Sequence, residues 1–292
     1  MPVAVVTDST AYLPDELADR HSLTVVPLTV VIDGVARQEG IDLTPADVAV
    51  ALASRRPAVS TSRPAPEQFV ETYRRLLGPD GQDAAVSAIV SVHLSAGLSG
   101  TVDAAQLAAR EVGSDRVVVV DSGSTGMGLG FPALAAATVA VAGGDLRQVR
   151  SAAADTAART RTLLYVDTLE HLRRGGRITA ASALLGTALS VKPILQMRDG
   201  QIVLRDKVRT AARALAKLVD LAYAAAEDAP AVDIAVHHLG DPDRAAGLRD
   251  QLADRLGDRL RDSYLAGIGA VVTAHTGPGL MSIVVHRRAA AH

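Results

Sequence analysis

The chain has 292 residues, enough for two ordinary cores, because domains settle near roughly 100–200 residues and larger ones split. Thirty basic residues against 32 acidic leave a formal charge of −2, so no net positive field draws in nucleic acid or an anionic membrane surface. Cysteine is absent, which removes disulfides, thiolate metal sites and a cysteine nucleophile, and five Tyr, two Phe and no Trp disfavour base stacking as the main mode of recognition.

The first predicted strand is 3–7, an apolar run closed by Asp8 with neither a basic n-region nor a signal-length h-region, so the expected location is cytoplasmic. Further β-branched runs at 24–32, 85–92 and 117–121 alternate with Ala/Leu-rich helical patterns, the rhythm of a parallel, doubly wound sheet. Thr44-Pro45 and Pro64-Ala65-Pro66-Glu67 mark helix starts, and Gly78-Pro79-Asp80-Gly81 marks a loop. The most apolar stretch, 131–142, is broken by Pro132 and Thr138 and falls short of the ~20 residues a membrane-spanning helix needs.

From Arg161 the pattern changes. A strand at 162–166 and a short helix lead to Gly175-Gly176, then two apolar runs, 191–197 and 201–204, flank the hairpin signal Asp199-Gly200. Strands are expected at 232–237, 262–265, 270–274 and 283–286, with long helices at 210–227 and 242–256. The fold class is therefore α/β: an N-terminal parallel, doubly wound domain over 1–158 and a C-terminal α+β domain over 159–292 with a mixed or antiparallel sheet. Segment 57–78 is a candidate to pack with the second.

In open parallel sheets ligands bind beyond the carboxyl ends of the strands. Here those ends carry Thr7-Asp8-Ser9-Thr10, then His93 to Thr101, then Asp121 to Gly126, a run of hydroxyls and glycines. Each loop fits helix capping as well as ligand binding. The loop Ser95-Ala96-Gly97-Leu98-Ser99-Gly100-Thr101 has the stronger claim, because its glycines admit close backbone approach and a helix starting at Thr101 offers unpaired N–H groups to an anion. Ser60-Thr61-Ser62 lies between two helical patterns and fits a plain loop. His275 stands before Gly277-Pro278-Gly279, and Arg173-Arg174-Gly175-Gly176-Arg177 suits a phosphate or an acidic partner, or else the C-terminus of a helix.

Several signatures fail. Gly128-Leu129-Gly130-Phe131-Pro132-Ala133 spells G-x-G-x-x-A but begins several residues past its strand and carries a proline. There is no P-loop, no G-x-S-x-G elbow around Ser99 and no histidine pair with metal spacing, so no metal or cofactor is expected.

Taken in order, Thr7-Asp8-Ser9-Thr10, Ser60-Thr61-Ser62-x-Pro64, Leu98-Ser99-Gly100-Thr101, Leu169-Glu170-x-Leu172-x-x-Gly175-Gly176-Arg177-Ile178, Val191-Lys192-Pro193-Ile194-Leu195 and His275-Thr276-Gly277-Pro278-Gly279 resemble the DegV family of bacterial fatty-acid-binding proteins over nearly the whole chain. The resemblance implies a lipid carrier rather than an enzyme. It implies one long-chain fatty acid held in an aliphatic tunnel between the domains and presented to a separate ATP-dependent fatty acid kinase subunit. It implies a carboxylate site drawn from Thr61, Ser62, Ser95, Ser99, Gly100, His275 and Thr276, with Arg174, Arg177 and Arg209 facing the phosphoryl group or the partner. Arg63, Ala96 and Val102-Asp103 depart from the residues usual in the family at those positions, which bears on the head group rather than the fold. Two other readings use the same residues: a hydrolase or phosphotransferase built on Ser95 or Ser99 with His275, and a sugar-phosphate or other small-molecule binder built on the Arg/Gly cluster.

Overall fold

The computed structural model describes residues 2–54, 58–78, 86–178 and 191–289. In chain order its elements are β1 (Val3–Asp8), α1 (Asp15–Arg20), β2 (Thr24–Val26), β3 (Thr29–Ile32), β4 (Val35–Gln38), α2 (Pro45–Leu52), β5 (Val59–Ser62), α3 (Pro66–Leu77), β6 (Ala88–His93), α4 (Thr101–Val112), β7 (Val117–Asp121), α5 (Met127–Val141) and α6 (Leu146–Arg159). There follow β8 (Thr160–Tyr165), α7 (Glu170–Arg174), β9 (Lys192–Arg198), β10 (Gln201–Val208), α8 (Ala211–Ala225), β11 (Val232–His238), α9 (Pro242–Leu256), β12 (Leu260–Gly267), α10 (Ala270–Thr276) and β13 (Met281–Arg287). The loop expected at Gly78 to Gly81 lies outside the described residues beyond Gly78, as does Ala85, the expected start of the third strand.

The chain falls into two compact units, Met1–Thr29 with Ser62–Ala158, and Val30–Thr61 with Arg159–His292. Residues 30–61 therefore group with the second unit, whereas the expected division kept 30–56 in the first; of the segment 57–78, a candidate for the second unit, the part up to Thr61 groups there and the part from Ser62 stays in the first. Their reason is packing: α2 lies against α10.

In the first unit a wholly parallel sheet runs β2-β1-β6-β7. Val6, Ile89 and Val117 pack with Phe69 and Tyr73 of α3 and with Ala105 and Ala108 of α4. Alternation along the strands turns Val5, Val90 and Val92 the other way, and α5 packs on β1 and β6. The small Ala side chains of α4 let that helix approach the sheet closely, which compensates for the shortage of aromatic residues. The G-x-G-x-x-A string sits inside α5, past the strand end, so it forms no dinucleotide-binding turn.

The second unit is a six-stranded mixed sheet in the order β10-β9-β8-β13-β11-β12, antiparallel except for the β11–β12 pair. Leu218, Val219 and Ala222 of α8 and Leu248, Leu252 and Leu256 of α9 bury against Ile194, Ile234, Val236 and Ile283. The β9–β10 hairpin turns at Asp199 and Gly200 with φ of 50° and 74°, the left-handed pair that an Asp-Gly turn requires. A separate three-stranded sheet runs β4-β3-β5.

Three expectations change. The apolar run 24–32 is two strands, because Pro27 lacks an N–H for the ladder and divides β2 from β3. Ser60-Thr61-Ser62 belongs to a strand, β5, rather than a plain loop. Residues 270–274 form helix α10 and not a strand: the β-branched Val271-Val272-Thr273 favours a strand locally, but packing against α2 and α7 decides otherwise.

Candidate functional site

Two histidines and two glycines organise a cleft in the second unit. His275, in the last turn of α10, places Nε2 2.8 Å from Oγ1 of Thr61 on β5, a contact that spans 214 residues of sequence. Its other ring nitrogen, Nδ1, is buried without a hydrogen-bond partner among the described residues. Burial pushes the imidazole down to about 4, and the positive charge of Arg177 acts in the same direction. The ring is therefore neutral at pH 7. With the proton on Nε2 it donates to Thr61, which leaves the threonine hydroxyl to donate outward to an acceptor.

Glycines seat both rings. A methyl group added at Gly175, just past α7, would lie 2.4 Å from Nδ1 of His275, and one added at Gly277, just past α10, would lie 2.3 Å from the ring of His171. So α7 receives the histidine of α10 while α10 receives the histidine of α7. Gly277 has a φ of 68°, in the left-handed region that favours glycine. His171 is also held below its usual range, by burial first and by Arg174 second.

Leu52, Val59, Thr61, His171, Arg177 and His275 line a cleft of about 200 Å³ here. That is smaller than the roughly 300–1,000 Å³ that encloses a drug-sized ligand, so it suits a head group. Arg177 folds back to donate to the Gly175 carbonyl, and Arg174, also on the cleft, pairs with Glu170 one turn earlier at 2.6 Å. With His275 in that tautomer, an acceptor-only anion such as a carboxylate meets here a hydroxyl free to donate and a nearby guanidinium.

Next to this cleft Asp167 ties down the Gly-Pro-Gly turn. Its carboxylate sits over Gly279, whose φ is 85°, and accepts from Lys192 at 2.9 Å and from the Tyr165 hydroxyl. Burial alone raises an acid, but these two donors hold Asp167 below its usual range.

In the first unit the polar groups of the Ser95 loop mostly bond within it, while the buried hydroxyls of Thr7 and Thr125 at neighbouring strand ends have no partner among the described residues. Ser95 is fully buried, and its hydroxyl accepts from Gly97 N–H at 3.1 Å while its carbonyl accepts from Ser99 N–H. Ser99 and Thr101 hydroxyls lie 2.9 Å apart. The Asp121 carboxylate accepts from Ala96 and Gly123 N–H groups. Gly100 precedes α4 with the Arg63 guanidinium against its bare Cα: a methyl group there would fall 2.1 Å from Nη1.

Beneath that edge runs a chain of buried bonds that sequence reasoning missed. Tyr73 donates to Ser91 at 2.8 Å, Ser91 meets His93 Nε2 at 2.7 Å, and His93 Nδ1 meets Asp8 at 3.0 Å. Asp8 also accepts from Leu94 N–H at 2.9 Å, one residue before Ser95. The network thus fixes the strand end that carries the Ser95 loop. Its signal was the polar pair Ser91 and His93 inside an apolar strand, alternating onto one face.

Of the candidate residues, Thr61, His275, Arg174 and Arg177 come together. Thr276 is nearly fully buried and spends its hydroxyl on Val272 O at 2.9 Å, within its own helix. The exposed Ser62 hydroxyl bonds the Arg63 carbonyl. Arg209 is exposed just beyond β10, without an ion pair among the described residues, and does not line the cleft. Ser95, Ser99 and Gly100 form their own loop in the first unit. Among the described residues no group of three or more His, Asp or Glu is arranged for a metal, and no helix is long and apolar enough to cross a membrane.

Comparison with known proteins places the chain, as a whole, in a family. A model described as an uncharacterised protein of the DegV family matches residues 2–288. A DegV domain-containing protein of Streptomyces coelicolor is 54% identical over 288 residues, covering 98% of this chain and 99% of that one. Among solved structures, a DegV family protein from Thermus thermophilus described by its fatty acid binding superposes with a TM-score of 0.91 at 32% identity, over 99% of this chain and 100% of that one. DegV of Bacillus subtilis, described as a fatty acid binding protein, gives 0.84 at 32% identity with the same coverage.

Proposed function

The chain belongs to the DegV family, and from that premise we propose that it is a lipid carrier that binds one long-chain fatty acid by its carboxylate and hands it to a separate kinase. The observation that carries the reading is the Thr61–His275 pair, a neutral imidazole behind a threonine hydroxyl, with Arg177 beside it. This set binds an anion and has no equipment to cleave one. A hydrolytic triad orients its histidine by an acceptor, commonly a carboxylate, at the far nitrogen, and Nδ1 of His275 has no such partner among the described residues. Its neighbour there is the bare Cα of Gly175.

Energetics divide the work. Burying about 16 methylenes yields a gross gain on the order of 13 kcal/mol, from which association and ordering costs subtract several. Affinity in this reading comes chiefly from the acyl chain, and the head-group residues select its orientation. Ser62, Ser95, Ser99, Gly100 and Thr276 are proposed to contribute to the ligand site. The two structurally similar proteins described as fatty acid binders support the choice of ligand.

Titration of palmitate into the purified chain tests the head-group assignment. Thr61→Val removes one hydrogen bond to a charged group, worth about 1.5–3 kcal/mol, so its Kd is expected to rise roughly 10–100-fold with the melting temperature little changed. An unchanged Kd contradicts the assignment. For the transfer step, Arg209 is proposed to face the kinase, because it is exposed, has no ion pair among the described residues and does not line the cleft. Arg209→Ala is expected to keep palmitate affinity while slowing acyl-phosphate formation by an added fatty acid kinase several-fold; normal coupling removes Arg209 from that surface.

A further inference from the structure

Helix α10 is seven residues long, so its placement depends on what holds its two ends. The C-terminal end is held by the reciprocal seating of His171 against Gly277 and His275 against Gly175. The N-terminal end has a glycine, Gly269, as its first cap, with no side chain to accept an N–H bond.

A remote acid takes over that role. Glu39 Oε1 accepts from the Val271 N–H at 2.7 Å, across 232 residues of sequence, and Glu39 is buried. A carboxylate satisfies an otherwise orphan donor there and lies favourably at the positive end of a helix. Glu39 is itself fixed in the tight connection between β4 and α2, where Ile41 N–H bonds Gln38 O and the Gln38 N–H bonds the Asp42 carboxylate.

The chain that follows Glu39 also lines the cleft. Leu52 ends α2, Val59 and Thr61 follow on β5, and α2 packs along α10. One bond therefore joins the helix that carries His275 to the stretch of chain that carries Thr61. We propose that Glu39 is a positioning residue for the Thr61–His275 pair, holding α10 in the register at which the histidine reaches the threonine. A hydrogen bond of 2.8 Å is lost once its atoms part by a further ~0.8 Å, so a slide of α10 by about that much is enough to break it. The functional consequence of this role rests on the carrier reading; the geometric role does not.

The test uses the full chain in Glu39→Ala, Glu39→Asp and Glu39→Gln forms, with two readouts. The first is the NMR titration of His275 in ligand-free protein. The second is palmitate affinity. In the wild type His275 is expected to titrate near 4. In Glu39→Ala it is expected to move toward 6.5 as the ring leaves its seat, with palmitate Kd raised about tenfold. Glu39→Gln keeps an acceptor of the same length and is expected to restore most of both properties. Glu39→Asp withdraws the acceptor by one methylene and is expected to fall between. Wild-type titration and affinity in Glu39→Ala, whatever its melting temperature, overturn the proposal. Should that variant not fold, wild-type values in Glu39→Asp overturn it equally. If the wild type binds no palmitate, the carrier reading fails while the His275 titration still decides the role of Glu39.

Discussion

Gly175→Ala is expected to weaken palmitate binding by roughly 100-fold while the protein keeps its fold. Gly175 has φ of −74° and ψ of −10°, a conformation any residue adopts, so the backbone does not resist the change. The added methyl, however, would sit 2.4 Å from Nδ1 and 3.2 Å from Cε1 of His275. A ring atom on a short, packed helix cannot swing aside as the end of a lysine would. His275 must leave Thr61, and the carboxylate loses an oriented donor, an effect at the upper end of about 1.5–3 kcal/mol. Calorimetric titration, with circular dichroism melts alongside, checks it. Wild-type affinity in Gly175→Ala contradicts the geometry of the site. Gly176 supplies the contrast: its φ is 70° with nothing within 4 Å of an added methyl, so Gly176→Ala strains the backbone and leaves His275 in place.

The second large effect is loss of stability in mild acid. His237 is fully buried on β11 and its imidazole is pushed down to about 4, as burial outweighs a bond to the Ala266 carbonyl. His286 and His275 are likewise held near 4, in both cases by burial first and neighbouring arginines second. In the unfolded chain each takes up a proton near 6.5, while the folded chain does not until about 4. Between those values the unfolded state binds more protons, so stability falls as pH falls, and no such loss occurs above about pH 6.5. For His237 alone the shift corresponds to roughly 3 kcal/mol by pH 4. Asp233, raised by burial despite its pairing with Arg288, works in the opposite direction at the acid end. Urea unfolding at pH 7.5, 5.5 and 4.5 should show the decline, reduced by about one proton in His237→Gln. A flat profile over that range contradicts the burial of these rings.

Much of the fold was legible in the sequence because its signals are local. Thr44 with Asp47 forms a capping box, Thr210 and Asp241 cap α8 and α9, and Asp199-Gly200 makes the hairpin. Where tertiary contacts outweigh local preference, the sequence misleads. Val271-Val272-Thr273 reads as a strand, yet a carboxylate from residue 39 and the packing of α2 and α7 make it a helix. The grouping of 30–61 with the second unit follows from the same long-range contacts.

The site was legible as a set of residues and not as a geometry. Thr61, Arg177 and His275 stand out in motifs, but nothing local says that residues 61 and 275 touch. Glu39 went unnoticed because a lone acid in a loop carries no signature. The motif Gly175-Gly176 gains a physical meaning only from the structure, where the first glycine makes room for an imidazole and the second turns the chain with a positive φ. Lys192, prominent in its motif, proves to hold Asp167 against the Gly279 turn.

The most direct measurement is mass spectrometry of the organic extract from purified protein, quantified against chain concentration. The carrier account predicts about one long-chain fatty acid per chain, either retained through purification or restored by incubation with a fatty-acid panel. Protein that carries no fatty acid and takes none up from the panel contradicts it.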